Sequence, residues 1–360
     1  MKKICLISPS LKVGGIQREL VVLANHYSNR GHKVHFLTCF DSTEFYELYD
    51  KVEHIDCSTK RASNEGKISK SKYYYYLLKK LRKTVKRLDP DTVLTYGDIM
   101  GPLVLAALYN LKYPVYIGDK TSHDYKFKFP LPLLKKILYP TSAGYIAQTT
   151  KAANYRNMEF GGKLDITVIP NGIREVKLFP EVVRENVVLY LGRFAWEKSP
   201  DRLIKAISIL KDSNWKLIMA GDGPLLEDMK LLAKNLNVQS RIEFLGQVKD
   251  VDSLFAKASI FVLPSILEGF PNALCEAMAG GLCCLCYSTI SYEDIFEDGT
   301  SGFVIKEDTP ESLAKKIDYL IAEPTIRKKV GIRARAIRER LTAENAANAV
   351  FTKIFDIKKE

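Results

Sequence analysis

The sequence predicts an α/β protein that is built from two doubly wound parallel sheets in series. Short apolar, β-rich runs alternate with amphipathic helical patterns from residue 3 onward, as in parallel sheets whose helices cover both faces. The alternation stops over residues 173–185, which are charged and contain Pro180, and then begins again. With 360 residues the chain also exceeds the roughly 100 to 200 residues of an ordinary domain.

The first predicted domain covers residues 1–172. Its opening strand, ICLIS, is followed by a helical stretch that ends near Gly31, a residue suited to a helix C-terminus. One face of this helix is apolar and carries Ile16, Leu20, Leu23, Ala24 and Tyr27. The further strands that we expect here are KVHFLTC, VEHIDC, DTVLTYG, YPVYIGD, AGYIAQT and DITVIPNG.

The second predicted domain covers residues 186–340, and residues 173–185 are the expected linker. Its strands are VVLYLGR, WKLIMAG, IEFLG, SIFVLPS, LCCLCYS and GFVI. We expect residues 341–360 to form a final helix that can cross back to the first domain. Doubly wound sheets bind ligands beyond the carboxyl ends of their strands, so we expect the functional residues there, in a cleft between two facing domains.

The net charge of +12 lies in the first half of the chain. Residues 1–180 carry 29 Lys and Arg against 16 Asp and Glu, whereas the rest carry 25 against 26. The stretch Lys60–Arg87 holds 11 of these basic residues and one Glu. Basic surfaces usually bind anionic lipid or nucleic acid. The sequence contains no recognisable nucleic-acid-binding module, which argues against nucleic acid.

The basic stretch predicts an amphipathic helix for an anionic lipid surface. Its expected apolar face consists of Tyr74, Leu77, Leu78, Leu81, Val85 and Leu88. The lysines that we expect to contact the membrane or the acceptor are Lys79, Lys80, Lys83 and Lys86. The stretch Tyr125–Tyr139 has the same chemistry. A helix that packs on the domain and exposes a solvated basic face is the alternative.

The seven cysteines predict reduced, buried thiols. They are odd in number and lie mostly in apolar strand or helix stretches. On a strand, Cys283 faces away from Cys284 and Cys286, which argues against a metal site there. The opening stretch MKKICLISPSLKVGG suits a first strand better than a signal peptide, and no apolar run approaches the ~20 residues of a membrane span.

Two segments that follow strands can meet a diphosphate. In SPSLKVGGIQR, Gly14 and Gly15 precede a helix and let an anion approach its positive end; a simple tight turn has the same pattern. No third glycine completes GxGxxG, which counts against a dehydrogenase. In LGRFAWEKSP, Arg193 and Lys198 supply two cations, unless they are solvated surface charges. We expect SP at 199–200 to cap and begin the next helix.

Two further segments follow strands of the second domain. GDGPLLEDM begins at Gly221 with a turn whose glycines let a ligand approach. In EGFPNALCEAMAGG we expect Pro271 to begin a helix, with Glu276 about 7.5 Å further along its axis. Glu268 and Glu276 would then project at different depths of one pocket, where carboxylates accept sugar or ribose hydroxyls. An ordinary loop charge at Glu268 and a lysine-paired Glu276 are the alternatives.

The segment from Glu268 to Glu276 resembles the Glu-seven-residues-Glu motif of glycosyltransferase family 4, whose members are retaining enzymes with the GT-B fold. The resemblance covers nearly the whole chain, because GGIQR, IPNG, GRFAWEK, GDGP and the double-glutamate segment occur in the family's order. It implies two Rossmann-like domains that face an interdomain cleft. Gln17 stands where many members have a glutamate, which leaves the acceptor-side contact unassigned.

The resemblance also implies roles for matching residues. Glu276 would bind the ribose of the donor, and Glu268 the hydroxyls of the transferred sugar. Arg193 and Lys198 would bind the diphosphate and stabilise its developing charge. His123, which follows the strand YPVYIG, would contact the sugar ring, although an isolated histidine is also often structural. The expected catalytic residues are Arg193, Lys198, Glu268 and His123. The expected donor-binding residues are Gly15, Gly221, Gly269, Phe270, Pro271, Asn272, Ala273, Leu274 and Glu276.

The expected function is transfer of a sugar from a nucleotide-diphosphate donor, UDP-linked by family frequency, to a polyprenyl-diphosphate saccharide in bacterial surface glycan assembly. The resemblance suggests a front-face mechanism without metal or cofactor, since Arg193 and Lys198 replace a metal. We expect a cytoplasmic enzyme, peripheral on the inner face of the membrane. The alternatives are a sugar-nucleotide epimerase, a transferase with a soluble acceptor, and a non-catalytic sugar-nucleotide-binding protein.

Overall fold

The computed structural model describes residues 1–12, 14–40, 44–58, 67–122 and 124–356, with side chains from residue 71 onward in the helix that begins at residue 67. The chain forms two compact units. The first contains residues 1–172 and 343–360, and the second contains residues 173–342. Each unit is organised around one parallel sheet with helices on both faces.

The sheet of the first unit has seven strands, as the alternating pattern predicts. They are β1 Lys3–Ser8, β2 Lys33–Thr38, β3 Val52–Asp56, β4 Thr92–Tyr96, β5 Val115–Gly118, β6 Gly144–Ala147 and β7 Ile166–Val168. The order is β3-β2-β1-β4-β5-β6-β7, and every neighbouring pair is parallel. The direction of winding changes between β1 and β4, which places the ligand-binding crevice of such a sheet beyond these two strands.

The sheet of the second unit repeats this plan with six strands. They are β8 Val187–Leu191, β9 Lys216–Ala220, β10 Ile242–Gly246, β11 Ile260–Leu263, β12 Cys283–Tyr287 and β13 Phe303–Ile305. The order is β10-β9-β8-β11-β12-β13, again parallel throughout. Here the winding changes between β8 and β11, the strands that precede Arg193 and Glu268.

The helices begin and end close to the amphipathic patterns. In the first unit they are α1 Gly15–Asn29, α2 Lys67–Leu88, α3 Met100–Leu108, α4 Leu131–Leu138 and α5 Thr150–Glu159. In the second unit they are α6 Pro200–Ser208, α7 Leu226–Asn235, α8 Val251–Lys257, α9 Asn272–Ala279, α10 Pro310–Ala322, α11 Pro324–Ala334 and α12 Ile337–Arg340. A last helix, α13 Ala343–Val350, is extended by a π-helical turn at Phe351–Phe355.

The last helix packs in the first unit. The Tyr27 hydroxyl of α1 donates to the carbonyl of Ala347 at 2.8 Å, and Ala347 and Val350 are buried in the core that lies against α1. Residues 173–185, which the sequence suggested as a linker, pack on the second unit instead. Ile173 and Val176 are buried in its core, because apolar side chains recur in this charged stretch.

The cysteines are free and buried, as their apolar surroundings predict. Cys283 lies in the core on one face of the second sheet, and Cys284 and Cys286 lie in the core on the other face. Burial raises the pKa of the Cys283 thiol to about 12, so this side chain is protonated at neutral pH and behaves as a small hydrophobe.

Candidate functional site

An open cavity of about 620 Å³ lies at the carboxyl edge of the second sheet. It is formed by the segments that follow β8, β9 and β10 together with the first turn of α9. Its lining residues are Leu191, Gly192, Arg193, Gly221, Asp222, Gly223, Gln247, Val248 and Ala273. Three predicted site residues, Arg193, Gly221 and Ala273, therefore line one cavity. Gln247 and Asp222 were not predicted, since single polar residues in a turn carry no distinctive sequence signal.

Arg193 and Lys198 differ in their electrostatic surroundings. Arg193 is exposed, and its guanidinium forms no ion pair with the residues that the structure describes. Lys198 instead binds both carboxylate oxygens of Glu268, each at 2.7 Å, and Ser265 Oγ donates to Glu268 Oε1 at 2.8 Å. The predicted diphosphate-binding lysine and the predicted sugar-binding glutamate thus form one ion pair.

The segment that carries Lys198 turns sharply before α6. Residues Trp196–Lys198 form one 3₁₀ turn, and Ser199 has a left-handed backbone with φ of 44°. Pro200 begins α6 as predicted, but Ser199 does not cap it, because its hydroxyl donates back to the carbonyl of Trp196 at 3.0 Å. The hydroxyl therefore stabilises the turn that presents Lys198.

The glycines after β9 have a packing role in addition to the ligand approach that the sequence suggested. Gly221 has φ of 137° and Gly223 has φ of 155°, values that side chains rarely allow. A Cβ at Gly223 would lie 2.5 Å from the carbonyl oxygen of Phe194, and one at Gly221 would overlap the carbonyl of Gly192. These glycines allow the loops after β8 and β9 to pack against each other.

Helix α9 begins one residue later than predicted. Asn272 is its first residue and Pro271 precedes it as the cap residue, so Glu276 lies about 6 Å along the axis from the first helical residue. The N–H of Asn272 donates to the carbonyl of Phe270 at 3.0 Å. Phe270 and Leu274 point into the core. The side chains of Phe270 and Leu274 are therefore buried, whereas Asn272 is exposed and Gly269 and Ala273 are partly exposed. The donor contacts expected for this segment stay predictions.

Glu276 is more deeply buried than expected, with 8 % of its surface exposed. Its Oε2 accepts from Nε of Arg174 at 3.0 Å, and Nη2 of Arg174 lies 2.5 Å from Asp252 Oδ1. Burial acts against the positive charge of Arg174, but the two carboxylates outweigh it and raise its pKa. The sequence left open that Glu276 pairs with a lysine. The observed partner is an arginine instead, and it comes from the expected linker.

The first unit presents Gly15 as the opening residue of α1. A side chain built there would meet no atom within 4 Å, and the residue is exposed, so the backbone is open to a ligand. The helix has no acidic residue in its first turn. His123 lies outside the described residues, and its predicted contact with the sugar ring stays a prediction.

A buried ionic network lies at the carboxyl ends of β4 and β5. Nζ of Lys135 donates to Asp98 at 2.5 Å and to Asp119 at 3.0 Å. Nη2 of Arg156 and the hydroxyl of Tyr139 also donate to Asp119, at 2.7 Å and 2.5 Å. None of the residues of this network was expected from the sequence to belong to a site. A signal exists, because Gly-Asp follows a strand twice, in TYGD and in YIGD.

The pKa values of the two aspartates of this network shift in opposite directions. Burial and the neighbouring charge of Asp119 raise the pKa of Asp98, and Lys135 offsets only part of this. Burial also acts to raise the pKa of Asp119, but Lys135 and Arg156 outweigh it and lower the pKa. Asp119 has two cations and the Tyr139 hydroxyl, whereas Asp98 has one cation and the Thr121 hydroxyl, and the second cation explains the difference.

Helix α2 has its predicted lysines on the surface and its apolar side in the core. Leu77, Leu81 and Val85 are fully buried, whereas Lys79, Lys80, Lys83 and Lys86 are exposed. Tyr74 was predicted on the apolar face, but it is 44 % exposed, and Tyr73 packs against the core instead. The apolar face of α2 is therefore used within the unit, and residues 60–66 of the basic stretch lie outside the described residues.

Helix α4 has the opposite arrangement. Its apolar side chains Leu133, Leu134 and Ile137 are 46 %, 41 % and 59 % exposed, and Phe129 just before it is 81 % exposed. Its lysine at 135 is buried in the ionic network. The helix thus presents leucine and isoleucine to the outside and a charge to the inside. Among the described residues, no helix is long and apolar enough to span a membrane.

Two family models together match most of the chain. The model described as Glycosyltransferase Family 4 matches residues 13–176, and the model described as Glycosyl transferases group 1 matches residues 174–337. The chain belongs to glycosyltransferase family 4. It is therefore a glycosyltransferase, which is the enzyme class that the double-glutamate motif predicted.

Two curated relatives of this glycosyltransferase come from Campylobacter jejuni. One is named GalNAc-alpha-(1->4)-GalNAc-alpha-(1->3)-diNAcBac-PP-undecaprenol alpha-1,4-N-acetyl-D-galactosaminyltransferase and is 27% identical, over 92% of each chain. The other is named N-acetylgalactosamine-N,N'-diacetylbacillosaminyl-diphospho-undecaprenol 4-alpha-N-acetylgalactosaminyltransferase and is 23% identical, over 91% of this chain and 92% of the relative. Both names describe transfer to a lipid-linked saccharide.

Solved structures show the fold of this glycosyltransferase. Anabaena HepE in complex with UDP and glucose superposes with a TM-score of 0.81 at 17% identity, over 99% of this chain and 100% of HepE. The sucrose-phosphate synthase of Thermosynechococcus elongatus superposes with a TM-score of 0.80 at 16% identity, over 99% of each chain. The two parallel-sheet α/β units have the GT-B fold, as the resemblance implied.

Proposed function

We propose that this glycosyltransferase transfers a sugar, with retention of its anomeric configuration, from a UDP-linked donor to a saccharide on a polyprenyl diphosphate. The observation that carries this proposal is the cavity at the carboxyl edge of the second sheet. Arg193 opens into it, and the Lys198–Glu268 pair comes from the same loop and from the segment after β11. Both loops follow the strands between which the winding of the sheet changes.

The charges at this edge support a nucleotide-diphosphate donor. Arg193 and Lys198 offer a guanidinium fork and a point charge to the diphosphate. Lys198 would move from Glu268 to a phosphate oxygen, and Glu268 would then accept hydroxyls of the transferred sugar. The cavity of about 620 Å³ falls in the range of small-molecule sites, roughly 300 to 1,000 Å³. The donor base is proposed as uracil from family frequency.

The proposed reaction runs on one face of the sugar. As the glycosidic bond breaks, the leaving diphosphate accumulates negative charge, which Arg193 and Lys198 stabilise without a metal ion. The same phosphate accepts the proton of the acceptor hydroxyl while the new bond forms on the face that the diphosphate leaves. Glu268 holds the sugar by its hydroxyls in this scheme and does not attack it. Positioning and charge stabilisation then supply the rate enhancement.

A lipid-linked acceptor is supported by the names of the relatives and by the surface of the first unit. Both Campylobacter jejuni names specify an undecaprenol-linked saccharide. The exposed lysines of α2 suit the anionic headgroups of a membrane, and the exposed apolar side chains of α4 suit its interface. We place the enzyme at the cytoplasmic face of a bacterial membrane, in surface glycan assembly.

The proposal is tested by a donor screen that is read by mass spectrometry. The purified enzyme is incubated with a polyprenyl-diphosphate saccharide in detergent and with a panel of UDP-, GDP-, ADP- and dTDP-sugars. With a UDP-sugar, the expected product is heavier than the acceptor by one sugar. NMR should show that the new linkage has the same anomeric configuration as the sugar in the donor. A product of inverted configuration, or transfer only from another nucleotide, would contradict the assignment.

A further inference from the structure

Arg174 stands where the second unit begins and reaches two carboxylates of that unit. Its Nε lies 3.0 Å from Glu276 Oε2, and its Nη2 lies 2.5 Å from Asp252 Oδ1. The side chains of Glu276 and Asp252 are 10% and 17% exposed, and that of Arg174 is 31% exposed. The arginine therefore links the helix that carries Glu276 to the first turn of α8.

The backbone on both sides of Arg174 is fixed. The N–H of Ile173 donates to the carbonyl of Leu341 at 2.8 Å, and the N–H of Lys177 donates to Asp252 Oδ2 at 2.9 Å. Ile173 is also buried in the core that includes α9. Because the chain is held before and after Arg174, its guanidinium has a defined place from which to orient a partner.

Glu276 needs such a partner in order to serve as a ligand. It lies on a helix whose neighbouring residues, Cys275 and Ala277, are fully buried, and a buried carboxylate is costly unless it is paired. An ionised carboxylate has about four acceptor positions. The guanidinium bond at Oε2 uses one of these positions and holds the carboxylate in a defined orientation.

We propose that Arg174 is a positioning residue of the donor site, which orients the carboxylate of Glu276 toward the ribose of the donor. This inference rests on the proposed function, in which Glu276 is the ribose ligand. The ribose lies away from the bond that breaks, so its contact is equally strong in the ground state and in the transition state. Loss of such uniform binding raises KM and leaves kcat nearly unchanged.

The test is steady-state kinetics of five variants with varied donor and saturating acceptor. Arg174→Gln is expected to raise the KM for the donor about tenfold and to change kcat less than about twofold. Arg174→Lys keeps a cation beside Glu276 and recovers most of the affinity. Lys230→Gln removes a cation that pairs with Glu227 on the surface of the same unit, at 2.8 Å, and is the control with an unchanged KM.

The double variant Arg174→Gln/Glu276→Gln decides whether the arginine acts through the glutamate. If it does, the double variant has the same donor KM as Glu276→Gln alone, because nothing is left for Arg174 to orient. An Arg174→Gln enzyme with the wild-type KM, or full additivity in the double variant, would overturn the inference while Glu276→Gln still raises KM. An unchanged KM in Glu276→Gln would refute the ribose assignment itself. Thermal melting identifies a variant that merely unfolds. Unfolding lowers the fraction of active enzyme but leaves the donor KM of the folded fraction unchanged.

Discussion

At the scale of single residues, the charged side chains near the carboxyl edge of the second sheet differ in whether they form ion pairs. Lys198, Glu268, Glu276 and Arg174 all lie in ion pairs, whereas Arg193 is exposed and belongs to the cavity lining. A cation that is already paired, such as Lys198, must leave its carboxylate before it can bind a phosphate. We therefore propose that Arg193 is the cation that first receives the diphosphate of the donor.

Arg193→Ala is expected to lower kcat by about a hundredfold or more, because removal of one preorganised donor costs ~2.7 to 4 kcal/mol of transition-state stabilisation. The measurement is the initial rate at saturating donor and acceptor. Arg333→Ala, which removes an exposed arginine from α11 of the same unit, is the matched control and should retain the wild-type rate. A near-normal kcat for Arg193→Ala would remove this residue from the catalytic group.

Lys135 offers a residue-scale test of stability, with its neighbour as the control. Lys135→Met leaves Asp98 and Asp119 buried without their shared cation, and breaking a buried pair costs about 3 to 5 kcal/mol. Lys136 is exposed, so Lys136→Met should stay within about 0.5 kcal/mol. Urea unfolding gives both values. Equal unfolding free energies for the two variants would show that the network does not stabilise the first unit.

The predictability of these residues depends on whether their partners are close in sequence. Glu268 and Glu276 are found from the sequence because one short motif contains both. Arg174 is missed because its partners are 78 and 102 residues away, and the charged stretch around it suggests a linker. The Lys135 network is missed for the same reason, since tertiary packing brings together β4, β5, α4 and α5.

At the scale of secondary structure, α2 and α4 use opposite sides. The lysines of α2 face outward and its leucines pack in the core, whereas α4 buries Lys135 and exposes Leu133 and Ile137. Both helices cover the same side of the first sheet, because each contributes to or packs against one core cluster. Helical periodicity predicted that both elements are amphipathic. It could not predict which side faces the core, since an aspartate pair inside the unit holds the lysine of α4.

The charged surface of α2 and the apolar surface of α4 should contribute to membrane binding in two separable ways, one electrostatic and one hydrophobic. Replacement of Lys79, Lys80, Lys83 and Lys86 by Glu should abolish flotation with anionic vesicles, since each cation near such a surface contributes about 1 kcal/mol. Leu133→Asn/Ile137→Asn should weaken binding at high salt as well, because the lost contact is apolar. Leu231→Asn in the second unit, a residue that is 57% exposed, is the control. Unchanged flotation of both α2 and α4 variants would refute the membrane surface.

At the scale of the whole molecule, the two units have the same winding and different charge. The sequence gives the fold class correctly, because alternating strands and helices with a restart after residue 185 leave few topologies. The strand order within each sheet follows from the rules of such folds. We propose that the excess of positive charge in residues 1–180 serves an anionic partner of the first unit, while the donor motifs lie in the second.

Independence from metal ions is a prediction for the complete enzyme. If Arg193 and Lys198 neutralise the diphosphate, EDTA at millimolar concentration should leave the rate within about twofold of its value without chelator, because the charge stabilisation comes from side chains. The enzyme should first be dialysed against chelator, and the rate is then measured with and without added Mg²⁺ or Mn²⁺. A rate that falls to background and returns with one of these ions would contradict the assigned role of the two cations.

The central claim is transfer from a nucleotide-diphosphate sugar to a lipid-linked saccharide. The most direct measurement counts released nucleoside diphosphate and glycosylated lipid in the same reaction, with the polyprenyl-diphosphate saccharide present, absent, or replaced by the free saccharide. The account predicts equal amounts of both products with the lipid-linked acceptor and little of either without it. Release of nucleotide or interconversion of the donor sugar at the same rate without acceptor, or equal use of the free saccharide, would contradict it.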